Sequence, residues 1–204
     1  MTVEATHLLA IAAALGWASG LRLYAVLFLV GLAGYLGWVP VTHGLAPLSM
    51  PLVLGATGLL FVVEFFADKL PGIDSVWDAI HTVIRIPAGA ALAASVLGGD
   101  DASWTLIAAL MGGTLAATSH VAKATTRAAV NASPEPFSNV GLSLLGDAAV
   151  PGMLWLAWEQ PGWFFAALGV AVVGALVATV VLFRVLRGLA RGLFDRASRE
   201  AMPG

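Results

Sequence analysis

Six apolar stretches alternate with short polar ones along the chain, at 8–37, 52–67, 76–97, 104–122, 140–158 and 162–183. A helix needs about 20 apolar residues to cross the hydrocarbon core of a bilayer. The pattern therefore predicts an all-α, polytopic transmembrane bundle of about six spans. The second stretch is short and the third carries charge, so those two follow the pattern least closely. The connectors are rich in turn formers: 39–51 holds three prolines, 98–103 begins G-G-D-D, and 159–161 is a tight polar turn.

Composition agrees with the pattern. Apolar residues make up 59% of the chain and charged ones 11%, against roughly a quarter charged in soluble domains, and the mean hydropathy is +0.91. The 204 residues leave room for one membrane domain, 1–183, and a basic tail, 184–204. With no cysteine, a disulfide framework, a thiolate metal site and a cysteine nucleophile are excluded. The segment before the first span carries Glu4 and no Lys or Arg, which argues against a cleavable signal peptide. Its basic residues are not gathered on a soluble face, so no nucleic-acid partner is expected.

Charge placement predicts orientation. Connectors 39–51, 98–103 and 159–161 lack Lys and Arg, whereas Lys69, Lys123, Arg127, Arg184, Arg187, Arg191, Arg196 and Arg199 fall on the other three polar stretches. The positive-inside rule makes that face cytoplasmic, with both termini on it, in the inner (plasma) membrane. Arg184, Arg187, Arg191 and Arg199 share a helix face with Asp195, opposite Leu186, Leu189, Leu193 and Ala197. That is an amphipathic helix suited to an anionic inner leaflet, and the lipid bilayer is its expected partner.

Two hairpins, 52–97 and 104–158, repeat a pattern of entry, charged loop and return through a proline. Pro87 follows Asp74 by thirteen residues and Pro151 follows Asn139 by twelve. Broken helices are expected at Pro87 and Pro151, and matched interruptions of this kind point to a binding site between repeats. Gly16 and Gly20 form a G-x-x-x-G, followed by Gly31, Gly34 and Gly37, which predicts close helix packing.

The candidate chemistry lies in the two charged loops. Glu64 and Asp68 stand one turn apart near the end of the second span. Asp74, Asp78, His81 and Arg85 fall within an arc of about 60° on one helix, and the natural partners of Arg85 are Glu64 and Asp78. On the next hairpin His120, Lys123, Arg127 and Asn131 occupy an arc of about 80°. An acidic edge and a basic edge could thus face each other, with Arg22 and Asp147 as further buried candidates.

A charge at a helix centre costs about 2.5 to 3.5 kcal/mol, usually offset by pairing inside the bundle or by a wet cavity. Two readings follow. One is a salt-bridged collar in which Ser133, Pro134, Pro136 and Asn139 cap helices and shape a turn. The other is a site for an ion or anionic group. Glu64, Asp68, Asp74 and Asp78 are hard donors suited to Mg²⁺, Ca²⁺ or Mn²⁺, although no D-x-D-x-D-G or H-E-x-x-H is present. His81 or His120 could relay protons, and the lone His7 and His43 read as interfacial.

Four stretches resemble the multi-pass proteins of the domain-of-unknown-function 4126 family. They are S-G-L-R-L-Y-A at 19–25, V-E-F-F-A-D-K-L-P-G-I-D-S-V-W-D at 63–78, H-T-V-I-R at 81–85, and H-V-A-K-A-T-T-R-A-A-V-N-A-S-P-E-P-F-S-N at 120–139. The resemblance implies a bacterial-type membrane protein and supplies no substrate, cofactor or catalytic residue.

Three functions are weighed on these residues. Transport or conduction of a small ion or anionic solute leads. Convergence of Arg22, Arg85, Lys123 and Arg127 would make the solute an anion, and convergence of the carboxylates a cation. An enzyme on a lipid head group needs several carboxylates about a divalent cation. A scaffold or assembly factor with no solute site predicts fully paired charges and no cavity, and a homo-oligomer is a further candidate assembly.

Overall fold

A computed structural model describes residues 5–42, 44–98, 101–132 and 137–200, the last without side chains at 189, 190 and 192–200. His43, Ser133, Pro134, Pro136 and Glu4 lie outside the described residues, as do the side chains of Leu189, Leu193, Asp195, Arg196, Ala197 and Arg199. The helices are α1 (Ala5–Tyr35), α2 (Pro51–Ala67), α3 (Ile73–Leu97), α4 (Ala102–Asn131), α5 (Phe137–Glu159) and α6 (Pro161–Glu200), with a 3-10 turn, Ala46–Ser49, before α2.

Local chemistry sets the boundaries. Pro51 opens α2, where its missing N–H is no loss. Gly72 takes φ +86° in the turn into α3, a conformation that glycine reaches without strain. Asp101 caps α4 by accepting from the Ser103 and Trp104 amides at 2.7 and 3.4 Å.

Five of the described helices are long and apolar enough to cross a membrane. The chain is thus an all-α, multi-pass membrane protein. The exception is α2, whose 17 residues rise roughly 26 Å, a little short of the ~30 Å hydrocarbon core. It is the short second stretch of the sequence.

The central element is α1, whose side chains from Ala10 to Gly20 are buried all round. A helix without a polar face suits a position ringed by other helices. Helices α3 and α4 share the most extensive interface and both pack on α1. Small residues allow the approach: a Cβ added to Gly16 would stand 2.6 Å from the Gly112 Cα, and one added to Gly89 would stand 2.6 Å from the Ser19 Oγ. The close packing expected at Gly16 and Gly20 is present. Around this core, Val173, Leu176, Val177 and Val180 of α6 face outward, as a lipid-facing surface does.

One expectation is corrected. Helices α3 and α5 run unbroken through Pro87 and Pro151, because neighbouring helices hold the backbone on either side of each lost hydrogen bond. The interruption lies in α1, where Arg22 adopts φ −147°, ψ 82°. The expected C-terminal amphipathic helix is present, as the end of the 40-residue α6. Arg184, Arg187 and Arg191 are exposed along it, and Leu186 is half-buried.

Candidate functional site

The acidic edge of α3 and the basic edge of α4 meet inside the bundle. Arg85 lies 2.8 Å from Glu64 of α2 and 2.6 Å from Asp78, about two turns before it on α3. Both expected partners are therefore engaged. Lys123 bridges Asp68 at 2.8 Å and Asp78 at 3.0 Å. Arg127 reaches Asp74 at 2.8 Å, the Asp68 carbonyl at 2.6 Å and the Asn139 Oδ1 at 3.1 Å. Asn131 donates to Asp74 at 3.0 Å and to the Ser75 hydroxyl at 3.0 Å.

Arg22 enters from the interruption in α1. Its guanidinium stands 2.8 Å from Asp68 and 2.9 Å from Asp147, and also donates to Ser143 of α5. The extended backbone at Arg22 frees the amides just after it. Glu64 accepts from the Tyr24 and Ala25 amides at 3.1 and 3.4 Å, so one carboxylate caps the second half of α1 and pairs with Arg85. A negative group at a helix N-terminus is doubly favoured, by hydrogen bonds and by the helix dipole.

Three cations thus gather on one carboxylate. Asp68, fully buried, faces Arg22 and Lys123 at 2.8 Å each and Arg127 at 3.6 Å. Asp68 sits in the turn that follows α2. Burial by itself would raise its carboxyl, but Lys123, Arg22 and Arg127 outweigh burial and hold it below the usual carboxylate range.

The network balances. Arg22, Lys69, Arg85, Lys123 and Arg127 pair with Glu64, Asp68, Asp74, Asp78 and Asp147. Every Lys and Arg that precedes Arg184 is among them. Lys123 and Arg127 are therefore helix residues of α4 and not loop charges, whereas Lys69 stays in the turn after α2 and still turns inward to Asp147. Desolvation would make each costly alone, and pairing draws them inward.

Not every candidate joins the ion pairs. His81 is stacked on Trp77 at 4.1 Å between ring centroids, and its two ring nitrogens meet the Trp77 carbonyl at 2.7 Å and the Tyr24 hydroxyl at 3.2 Å. His120 sits closer, 2.8 Å from the Thr82 hydroxyl and 3.4 Å from Arg85. His7 is half-buried in the first turn of α1. The divalent-cation site expected of Glu64, Asp68, Asp74 and Asp78 is not assembled: among the described residues no three His, Asp or Glu side chains are grouped to hold a metal. These carboxylates are instead paired with Arg85, Lys123 and Arg127.

Sequence reasoning missed several members. Lys69 contacts Asp147 at 2.7 Å and lies 3.2 Å over the Phe65 ring, four residues back, a spacing that could have revealed it. Tyr24 and Ser143 carried no such signal, because only the folded chain brings them in. Asn139, expected as a cap, is buried and holds Arg127. Asp68 Oδ1, Asp78 Oδ2, Arg85 Nε and Asn139 Nδ2 are buried without a hydrogen-bond partner among the described residues.

Beside this cluster lies a cavity of about 290 Å³. Arg22, Lys123 and Arg127 form its polar wall, with Trp17 and Leu21 next to them, and residues of α5 and α6 close it. A second cavity, about 490 Å³ between α1, α4 and α6, is lined by apolar side chains and Thr114.

The model of a family described as domain of unknown function (DUF4126) matches residues 9–184. The chain belongs to the DUF4126 family. No curated protein and no solved structure matches it. In this DUF4126 chain the matched span holds the whole salt-bridged core, from Arg22 to Asp147, and ends at Arg184, where the exposed arginines of α6 begin.

Proposed function

We propose that the protein transports or conducts a small anionic solute across the inner membrane, with Arg22, Lys123 and Arg127 as the anion-binding group. What carries this reading is the convergence of those three cations, from two helices, on the Asp68 carboxylate beside a cavity. Asp68 acts as a tethered anion in the resting state. Since it belongs to a turn and not to a helix interior, it can withdraw and leave its place to a solute. The interrupted α1 supports the same reading, because discontinuous helices at membrane depth recur where transporters bind charged solutes.

The exposed Arg184, Arg187 and Arg191 support, by the positive-inside rule, a cytoplasmic position for the C-terminal ends of α2, α4 and α6. The cationic site then opens from that side.

Flux measurements test the proposal. Purified protein in liposomes is loaded with a panel of radiolabelled anions: chloride, sulfate, phosphate and 1-octanesulfonate. The expected result is efflux of at least one above protein-free liposomes, reduced tenfold or more by Arg22→Gln and by Arg127→Gln. Val173→Ala, on the lipid-facing surface, leaves it unchanged. Efflux that is absent for every anion, or equal in both arginine variants, sinks the reading. Size-exclusion profiles of the variants separate lost flux from lost fold.

The five-to-five charge balance favours a second reading, a membrane scaffold in which pairing is the whole purpose of the network. That reading gains if no anion moves and the protein is nonetheless stable.

A further inference from the structure

The cavity beside the three cations has more apolar wall than an inorganic anion needs. Its polar side consists of Arg22, Ser119, Lys123, Thr126 and Arg127, and no carboxylate lines it. The acids that neutralise these cations stand behind them, so the field met from the cavity is positive. Arg22 is 2% exposed. Its Nη1 lies 2.8 Å from Asp68 Oδ2 without an aligned hydrogen bond, and its Nε and Nη2 lie 3.7 and 4.0 Å from where a Cβ on the cavity-lining Gly146 would stand.

The opposite side is hydrocarbon. Helix α5 contributes Leu142, Leu145 and Ala149. Helix α6 contributes Ala171, Gly174, Ala175 and Ala178, whose small size along one face is what keeps the space open in an otherwise close-packed bundle. At ~30 Å³ per water-sized group, the volume of about 290 Å³ takes roughly ten heavy atoms. That suits an anionic head with six to eight carbons and is too small for a two-chain phospholipid.

We infer that this cavity is a binding site for an amphipathic organic anion, its head on Arg22, Lys123 and Arg127 and its single apolar tail along α5 and α6. The inference rests on the anion-transport reading and names the class of its solute. Such a molecule could arrive dissolved in water or as a single-chain component of the bilayer, and the chemistry of recognition is the same for both.

Trp17 lines the cavity and provides the readout. The full chain in phosphatidylcholine nanodiscs is titrated with 1-octanesulfonate, with inorganic sulfate as the head alone and with 1-octanol as the tail alone. The signal is the fluorescence change that Trp17→Phe abolishes. The expected result is saturable octanesulfonate binding at least tenfold tighter than either sulfate or octanol, abolished by Ala175→Phe, which fills the cavity without touching an ion pair. Sulfate binding of equal strength, untouched by Ala175→Phe, overturns the amphiphile and leaves the anion site standing. Octanol binding as tight as octanesulfonate overturns the role of the cations in recognition. If neither anion binds, both this inference and the transport reading fall. In nanodiscs doped with a single-chain anionic lipid, lysophosphatidylglycerol, competition identifies the bilayer as the source, and unaltered octanesulfonate binding identifies a water-borne solute. Either result supports the site.

Discussion

At the residue scale, the decisive groups are those with two jobs. Arg85 neutralises both Glu64 and Asp78 from a fully buried position. Removing one partner of a buried pair costs about 3–5 kcal/mol, and Arg85→Gln is expected to lose at least that much, read as a fall in thermal or denaturant stability in detergent. Asp68 gives a pH dependence. Its folded-state value is depressed by the three cations, so its stabilisation is fully present above the unfolded value near ~3.9. That contribution disappears as pH falls through the lower folded value. Acid titration of the melting temperature should show a steeper loss in the wild type than in Asp68→Asn; equal slopes would deny Asp68 its place as hub.

These roles were partly legible. The four, three, four spacing from Asp74 to Arg85 and its counterpart from His120 to Asn131 placed two edges that do meet, because helical period alone fixes a face. His81 shares that period and still turns to Trp77 and Tyr24, since aromatic stacking is settled by tertiary neighbours that spacing does not reveal. Lys69, Lys123 and Arg127 read as loop cations for a related reason: hydropathy counts a charge as solvated unless its partner is known.

At the element scale, long apolar helices were readable from length and pattern, and interruptions were not. Pro87 and Pro151 advertise breaks that the packed bundle overrides, whereas Arg22, with no proline beside it, departs from helical geometry where its guanidinium reaches Asp68 and Asp147. Glu64 then serves the freed amides. Glu64→Gln keeps an acceptor for Tyr24 and Ala25 while Glu64→Leu does not, so the leucine variant should be less stable by a further ~1–3 kcal/mol, the cost of leaving a buried polar group unpaired. Equal stabilities would show that capping contributes nothing. The glycine seam gives a separate check. Gly16→Leu must push α1 from α4, where the Gly112 backbone leaves no room for a side chain. A loss of about 1–3 kcal/mol is expected from overpacking, measured by thermal unfolding.

For the whole molecule, orientation is open to a clean test, since the chain has no native cysteine. Single cysteines at Ala102 and Arg187, both exposed, should label from opposite sides of intact cells with a membrane-impermeant maleimide. Arg187→Cys is expected to react only after permeabilisation and Ala102→Cys before it. The opposite pattern would reverse the assignment of faces, and labelling of both from outside would sink the six-span topology.

The mutual neutralisation of the ten paired ionic groups also bears on biogenesis. Synthesis runs from the N-terminus, so Arg22 enters the lipid phase long before Asp68, and longer still before Asp147, has left the ribosome. Glu64 likewise precedes Arg85, and Asp74 precedes Arg127. No early segment can settle at its final depth with its ion uncompensated. Pairing of the network is complete only once α5 is delivered, and a translating complex stalled before Asp147 is expected to be more open to quality-control proteolysis than the finished chain.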